Sequence, residues 1–244
     1  MRYLIISDVH GNLAALEAVL AAAGACDAVW CLGDVVGYGP QPNECVERVR
    51  GLPGLRCVAG NHDWGALGRL DLSEFNPEAR RAAEWTGAQL TASNRAWLEG
   101  LPERIVEDGF TLVHGSPRHP IWEYVLSPYV ARENLAYFDT PTCLVGHSHI
   151  PVIFRQDGPP SSSPTTLVPE PGETFHYGEP RAIVNPGSVG QPRDGDPRAC
   201  FVVLDMAAGT LEYHRVAYPI GETQERMREA HLPERLALRL AYGV

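Results

Sequence analysis

The chain has no CxxC pair, no apolar run of membrane-spanning length, no internal repeat and no surplus of positive charge. Its six cysteines, at 26, 31, 45, 57, 143 and 200, sit singly and mostly among apolar residues. That distribution excludes a disulfide framework and a thiolate metal site, and it reads as buried thiols in a reducing compartment. Nothing approaches the roughly 18 apolar residues of a membrane span. Met1 runs straight into a strand-like segment with no charged n-region, apolar h-region or small-residue cleavage site, so the expected location is the cytoplasm. A formal net charge of -10 argues against a nucleic-acid polymer or an anionic membrane as the main partner. What remains is ordinary for a globular protein. With 244 residues, 44% of them hydrophobic, the chain can form one large domain with a substantial core.

Short apolar runs dominate the pattern. Tyr3-Leu4-Ile5-Ile6 is a buried strand ending at Ser7-Asp8. Asn12 caps a following Ala-rich helix with Leu13, Leu16 and Leu20 on one face. Ala28 to Leu32 is a second strand, Asn43 opens a second helix with Cys45, Val46 and Val49 inward, and Arg56 to Ala59 is a third strand. Strand, helix, strand, helix, strand at this spacing predicts an α/β sheet. Residues 64–101 read as a helical, cap-like insertion, opened by Pro77 and continued through Trp97 and Leu98. Strand signals return at 104–113, 142–145, 152–154, 182–184, 200–204 and 211–216. Between them, 157–180 is rich in proline and serine and is expected to form a flexible hairpin loop or a mobile flap, too polar to pack. A helix from Glu222 to Leu240, interrupted at Pro233, ends the chain.

The strands end in polar clusters. Leu32 gives way to Gly33-Asp34, an arrangement that delivers a single carboxylate to an open loop tip and is costly unless the charge is used. Asp8-Val9-His10, Gly60-Asn61-His62-Asp63, Val113-His114-Gly115 and Gly146-His147-Ser148-His149 likewise follow short apolar runs. Each pair alone is commonly a polar loop. Together they offer carboxylate, amide and imidazole donors in a number suited to two metal ions, and donors of this kind suit Mn, Fe, Zn, Ni or Co.

The order D-x-H, G-D, G-N-H-D, H-G, G-H-x-H resembles the calcineurin-like metallophosphoesterase superfamily over residues 3 to about 205. His114-Gly115-Ser116-Pro117-Arg118 and Asn185-Pro186-Gly187-Ser188-Val189-Gly190 further resemble its small bacterial phosphodiesterase branch. The resemblance implies a four-layer α/β/β/α sandwich of two mixed sheets flanked by helices, formed as a single domain over 1–244. It implies two divalent metal ions, one held by Asp8, His10, Asp34 and His149, the other by Asn61, His114 and His147 with Asp34 bridging. Ions roughly 3.5 Å apart can share a hydroxide for in-line attack on phosphorus while neutralising charge on the phosphate oxygens. His62 is then placed to protonate the leaving oxygen. Asp63 caps or orients its loop.

One departure bears on the substrate. In the serine/threonine phosphatases and the dinucleoside-polyphosphate hydrolases, the Gly-Asp motif continues into an arginine that grips phosphate. Here Tyr38 stands in its place, and Gly37 occupies the position of the carboxylate that supports the phosphatases' catalytic histidine. The missing clamp tilts the expectation towards phosphodiesters of small, nucleotide-derived molecules. Arg118 is a candidate clamp from another direction. Tyr38 either stacks on a base or packs. Gly187 to Gly190 either offers N–H groups to an anion or is a turn bracing the His147 loop. A phosphomonoesterase, a protein or dinucleoside-polyphosphate phosphatase, and a non-catalytic scaffold are the alternatives. The helix from Glu222 or an exposed sheet edge offers a surface for a homo-oligomer.

Overall fold

The computed structural model describes all residues, 1–244. Two six-stranded sheets form its centre. The first contains β1 (Arg2–Ile6), β2 (Ala28–Cys31), β3 (Arg56–Cys57), β9 (Thr174–His176), β11 (Ala199–Asp205) and β12 (Thr210–Val216) in the order β3-β2-β1-β11-β12-β9. The second contains β4 (Arg104–Glu107), β5 (Phe110–Val113), β6 (Thr142–Leu144), β7 (Val152–Arg155), β8 (Thr165–Leu167) and β10 (Ala182–Asn185) in the order β4-β5-β6-β10-β7-β8. Both are mixed. Strands β1, β2 and β3 run parallel to one another, as do β5, β6 and β10, and the other pairings are antiparallel.

The two-residue period of β1 shows how the layers form. Tyr3 and Ile5 point between the sheets, where they meet Trp30, Phe110, Leu144, Val184, Val202 and Tyr213. Leu4 and Ile6 point outward to α1 (Leu13–Ala23) and α2 (Pro42–Arg50) through Leu16, Val19, Cys45 and Val49. The outer face of the second sheet is covered by α6 (Pro128–Asn134) and the turn after it, through Ala131, Leu135 and Phe138. The expected four-layer α/β/β/α sandwich is the fold observed. The free cysteines 31, 45, 57, 143 and 200 are all buried in it.

Between β3 and β4 lie α3 (Asn61–Leu67), α4 (Pro77–Gln89) and α5 (Ala92–Glu99). Phe75, Ala79 and Ala82 form an apolar cluster with Tyr38 and with Met227, Leu232 and Leu236 of the terminal region, which carries α7 (Ile220–Glu229) and α8 (Glu234–Arg239). Leu98 of α5 joins the main core. Two local expectations are corrected. The second helix opens at Pro42, whose missing N–H costs nothing in a first turn, and Asn43 instead ties α2 to Gln89 and Thr91. The segment 157–180, expected as a flexible hairpin loop or a mobile flap too polar to pack, contains β8 and β9, one on an edge of each sheet. Leu167 and Phe175 pack against the inter-sheet core.

Candidate metal centre

The strand ends of both sheets converge on one buried polar cluster. Asp8 and His10 follow β1, Asp34 follows β2, and Asn61 and His62 open α3 after β3. His114 follows β5, and His147 and His149 lie in the loop after β6. All eight are at most 5% exposed, in a molecule whose polar groups are otherwise mostly at the surface. Their backbones are also unusual. Asp8, His10, Asp34, His147 and His149, together with Tyr38, have φ between 50° and 65°. That left-handed region costs a non-glycine residue about 1–2 kcal/mol, and such strain concentrates where a structure needs side chains aimed inward.

Two sets of donor atoms result, each within 4.8 Å of one another: Asp8, His10 and His149 in one, Asp34, His114 and His147 in the other. Asp34 stands between them, with Oδ2 3.3 Å from His114 Nε2 and 3.6 Å from His10 Nε2. Asn61 Oδ1 lies 3.0 Å from His114 Nε2.

Backbone bonds fix the tautomers. Nδ1–H of His10 donates to Val36 O at 3.2 Å, of His114 to Leu32 O at 2.8 Å, and of His149 to Gln191 O at 2.6 Å. His147 donates from Nε2 to Trp122 O at 3.0 Å. The remaining nitrogens therefore point into the cluster. Those of His10 and His149 face each other as lone pairs at 3.1 Å, and those of His114 and His147 lie 3.2 Å apart. Two facing ring nitrogens have no reason to meet unless a cation or proton lies between them. Asp8 Oδ1 and Asp34 Oδ2 are buried without a hydrogen-bond partner, although their other oxygens accept from the backbone N–H of His147 (3.1 Å) and His62 (2.8 Å). Orphaned carboxylate oxygens beside facing ring nitrogens fit two divalent cations.

The electrostatics agree. Burial alone would raise both carboxyls, but the imidazoles of His149 and His114 outweigh it and hold Asp8 and Asp34 ionised, well below the usual range. Burial pushes His147 down to about 3 and also lowers His10 and His149, which presents neutral ligands. His114 is the exception. Burial opposes its charge, yet attraction to Asp34 prevails and lifts it to about 10, so it carries a proton that a metal must displace.

His62 sits at the edge of this cluster, its ring 5.0 Å from His10 and 4.2 Å from Tyr38. Its Nδ1 has no partner, and a Cβ on Gly37 would come within 2.9 Å of that atom, so no carboxylate supports it. Burial brings His62 down to about 4, with Asp34 opposing the shift and Arg193 adding to it. Asp63 accepts from the N–H groups of Asp34, Val36 and Gly60 at 2.9, 3.1 and 3.0 Å, binding two of the ligand loops together.

The other candidates fall differently. Tyr38 packs. It is 5% exposed, edge-on to His10 at 4.7 Å and part of the cap cluster. Arg118 is no free clamp: Glu123 holds its guanidinium through Nε and Nη2 and is itself fixed by Ser116 and Asn134. Gly187 to Gly190 is a brace and not an anion nest, but of the Asp8 loop instead of the His147 loop, because Val189 N–H, Gly190 N–H and Ser188 Oγ are spent on the carbonyls of Ser7 and Asp8. Two residues invisible as site candidates in the sequence, Tyr124 and Arg193, border the cluster, as does Trp122. Tyr124 stacks on His147 at 3.8 Å, Trp122 packs on Phe75 at 5.1 Å, and the Arg193 guanidinium lies 5.7 Å from the Tyr38 ring centre.

Known proteins are similar to this chain in sequence and fold. The calcineurin-like phosphoesterase superfamily domain matches residues 1–209. A crystal structure of a metallophosphoesterase from Sphaerobacter thermophilus, 53% identical, superposes with a TM-score of 0.92 over 100% of this chain and 99% of that one. An uncharacterised protein of Methanocaldococcus jannaschii is 39% identical over 98% of this chain and 97% of its own. A symmetrical bis(5'-nucleosyl)-tetraphosphatase of Pectobacterium carotovorum is 30% identical over 54% of this chain, which spans about half (49%) of that enzyme's length. With two His/Asp clusters that fit a dinuclear site at the strand ends of a four-layer sandwich, this chain belongs to the calcineurin-like phosphoesterase superfamily.

Proposed function

We propose that the protein is a dinuclear metal-dependent phosphoesterase that cleaves phosphodiester bonds in small, nucleotide-derived molecules. The observation that carries the reading is the pair of facing donor sets with Asp34 Oδ2 unpartnered between them. Asp8, His10, Asp34 and His149 would hold one ion, and Asp34, Asn61, His114 and His147 the other. Manganese, iron, zinc, nickel and cobalt all suit these donors. Bound there, the ions supply Lewis acidity and an activated water.

The chain's own residues supply placement and protons. The carbonyls of Val36, Leu32, Trp122 and Gln191 lock the four imidazoles, so the donor geometry is set before substrate arrives. His62 acts as the general acid towards the leaving oxygen. Neutral in the free protein, it gains its proton as an anionic phosphate arrives beside it and offsets the burial that suppresses its charge. His62→Ala should keep both ions and lose most turnover, by about 10²–10⁴-fold for a lost general acid. Asp34→Ala should lose both metal and activity. Undiminished hydrolysis by pure Asp34→Ala protein would sink the two-metal assignment.

A second reading, cleavage inside a dinucleoside polyphosphate, is favoured by the tetraphosphatase relative. An internal phosphate of such a chain carries one charge and two ester-like links, so to the centre it resembles a diester. The scaffold alternative would need the metal-loaded protein to be silent on every phosphate ester.

A further inference from the structure

The guanidinium of Arg193 stands out among the cations near the centre. Its backbone N–H donates to His149 O at 3.3 Å, which fixes it to a ligand loop, and its side chain lies over Tyr38, whose ring touches both His10 and His62. Tyr124, stacked on His147 and 44% exposed, forms the other rim, and the phenols of both tyrosines feel the arginine's charge. Arg193 is half-buried, yet its side chain meets only neutral groups: the Gln191 amide oxygen, at 3.3 Å from Nε and 2.8 Å from Nη2, and the Tyr38 and Tyr124 phenols. The acids next to it in sequence turn away. Asp194 pairs with Arg215, and Asp196 pairs with Arg198 at 2.6 Å. Arg118 and Glu123 likewise satisfy each other. Arg239, also half-buried, lies close enough for its charge and that of Arg193 to repel. A half-buried guanidinium with no carboxylate, in a chain with 30 acidic and 20 basic residues, is a costly arrangement unless an external anion completes it.

We propose that Arg193 is the phosphate clamp of this centre, binding a second phosphate beside the scissile one and so selecting polyphosphate-type nucleotides over diesters flanked by neutral groups. The inference rests on the phosphoesterase reading for the scissile phosphate. It also restores the clamp missing from the Gly-Asp loop: Tyr38 fills that position, and Arg193 reaches over it from the loop after β10. An internal phosphate on the metal side and its neighbour on Arg193 would share one chain.

The test uses the full chain reloaded with manganese. Inorganic pyrophosphate binding is measured by calorimetry, and kcat/KM is compared for diadenosine tetraphosphate and bis(4-nitrophenyl) phosphate, in the wild type, Arg193→Ala and Arg193→Lys. Loss of one charge-assisted hydrogen bond predicts pyrophosphate binding weaker by about 10- to 150-fold in Arg193→Ala. The substrate ratio should collapse by a similar factor, with part of each recovered in Arg193→Lys and two ions retained throughout. Unchanged pyrophosphate affinity and an unchanged ratio would overturn the assignment. So would loss of metal from both variants, which would make Arg193 a brace for the His149 loop. A wild type silent on both substrates would sink the phosphoesterase reading, while the calorimetric comparison would still decide Arg193.

Discussion

Gly60 precedes α3 and packs directly against the Asp34 carboxylate. A Cβ at this position would collide with Asp34 Oδ1 and stand 2.7 Å from its Cγ, when ordinary contact begins near 3.4 Å. Neither side has room to yield. Asp34 Oδ1 accepts from His62 N–H at 2.8 Å, and Asp63 ties Gly60 and Asp34 together through their backbone N–H groups. In Gly60→Ala the two loops must part by on the order of 1 Å. Overpacking of that kind costs about 1–3 kcal/mol. For a chain of this size that lowers Tm by about 2–12 °C. The displacement falls on the carboxylate that stands between the two donor sets and that the proposed centre would share between its ions, and a misplacement of about 1 Å in a catalytic constellation costs roughly 10²-fold in rate. Gly221 is the control. It lies within α7, and a Cβ added there would meet nothing within 4 Å, so Gly221→Ala should be neutral or stabilise by up to about 1 kcal/mol. Calorimetric Tm, metal content and diester turnover measure all three effects. Two ions per chain and turnover within about threefold of wild type in Gly60→Ala would refute the packing that defines this centre.

Two further predictions follow from charge. Arg118 holds Glu123 down to about 2 against burial, helped by Asn134 and Ser116, so this carboxylate stabilises the fold above its ordinary pKa of 4.5, and that stability is lost as pH falls towards 2. Glu123→Gln should lower Tm at neutral pH, and the difference should vanish near pH 2; a pH-independent difference would contradict the assignment. Metal uptake must remove the proton that Asp34 keeps on His114. Calorimetry of metal addition in buffers of different ionisation enthalpy should show about one proton released at pH 7–8, with affinity rising as pH rises towards 10, and no released proton would contradict it.

Much of the fold was legible because the buried strands are short apolar runs and the polar residues that end them are few and spaced alike. The five clusters pointed to one centre, and the structure brings all of them together. Less legible was whatever depends on pairing between distant segments. Arg118 read as a candidate clamp because nothing in the local sequence shows that Glu123, Ser116 and Asn134 close around it. Arg193 was missed for the converse reason: it is flanked by acidic residues that would neutralise it on paper, but Arg215 and Arg198 take them in space. The left-handed backbones of Asp8, His10, Asp34, His147 and His149 also have no sequence signal, since the residue types that adopt them are chosen as donors. The strands β8 and β9 hid inside a proline- and serine-rich stretch because each is three residues long and lies on a sheet edge.

The most direct test of the dinuclear centre is a metal titration of stripped protein, read as hydrolysis of bis(4-nitrophenyl) phosphate and of the matching monoester. The proposed function predicts activity that rises until two ions are bound per chain, with the diester turned over faster than the monoester. Full activity in stripped protein, or saturation at a single ion, would contradict it.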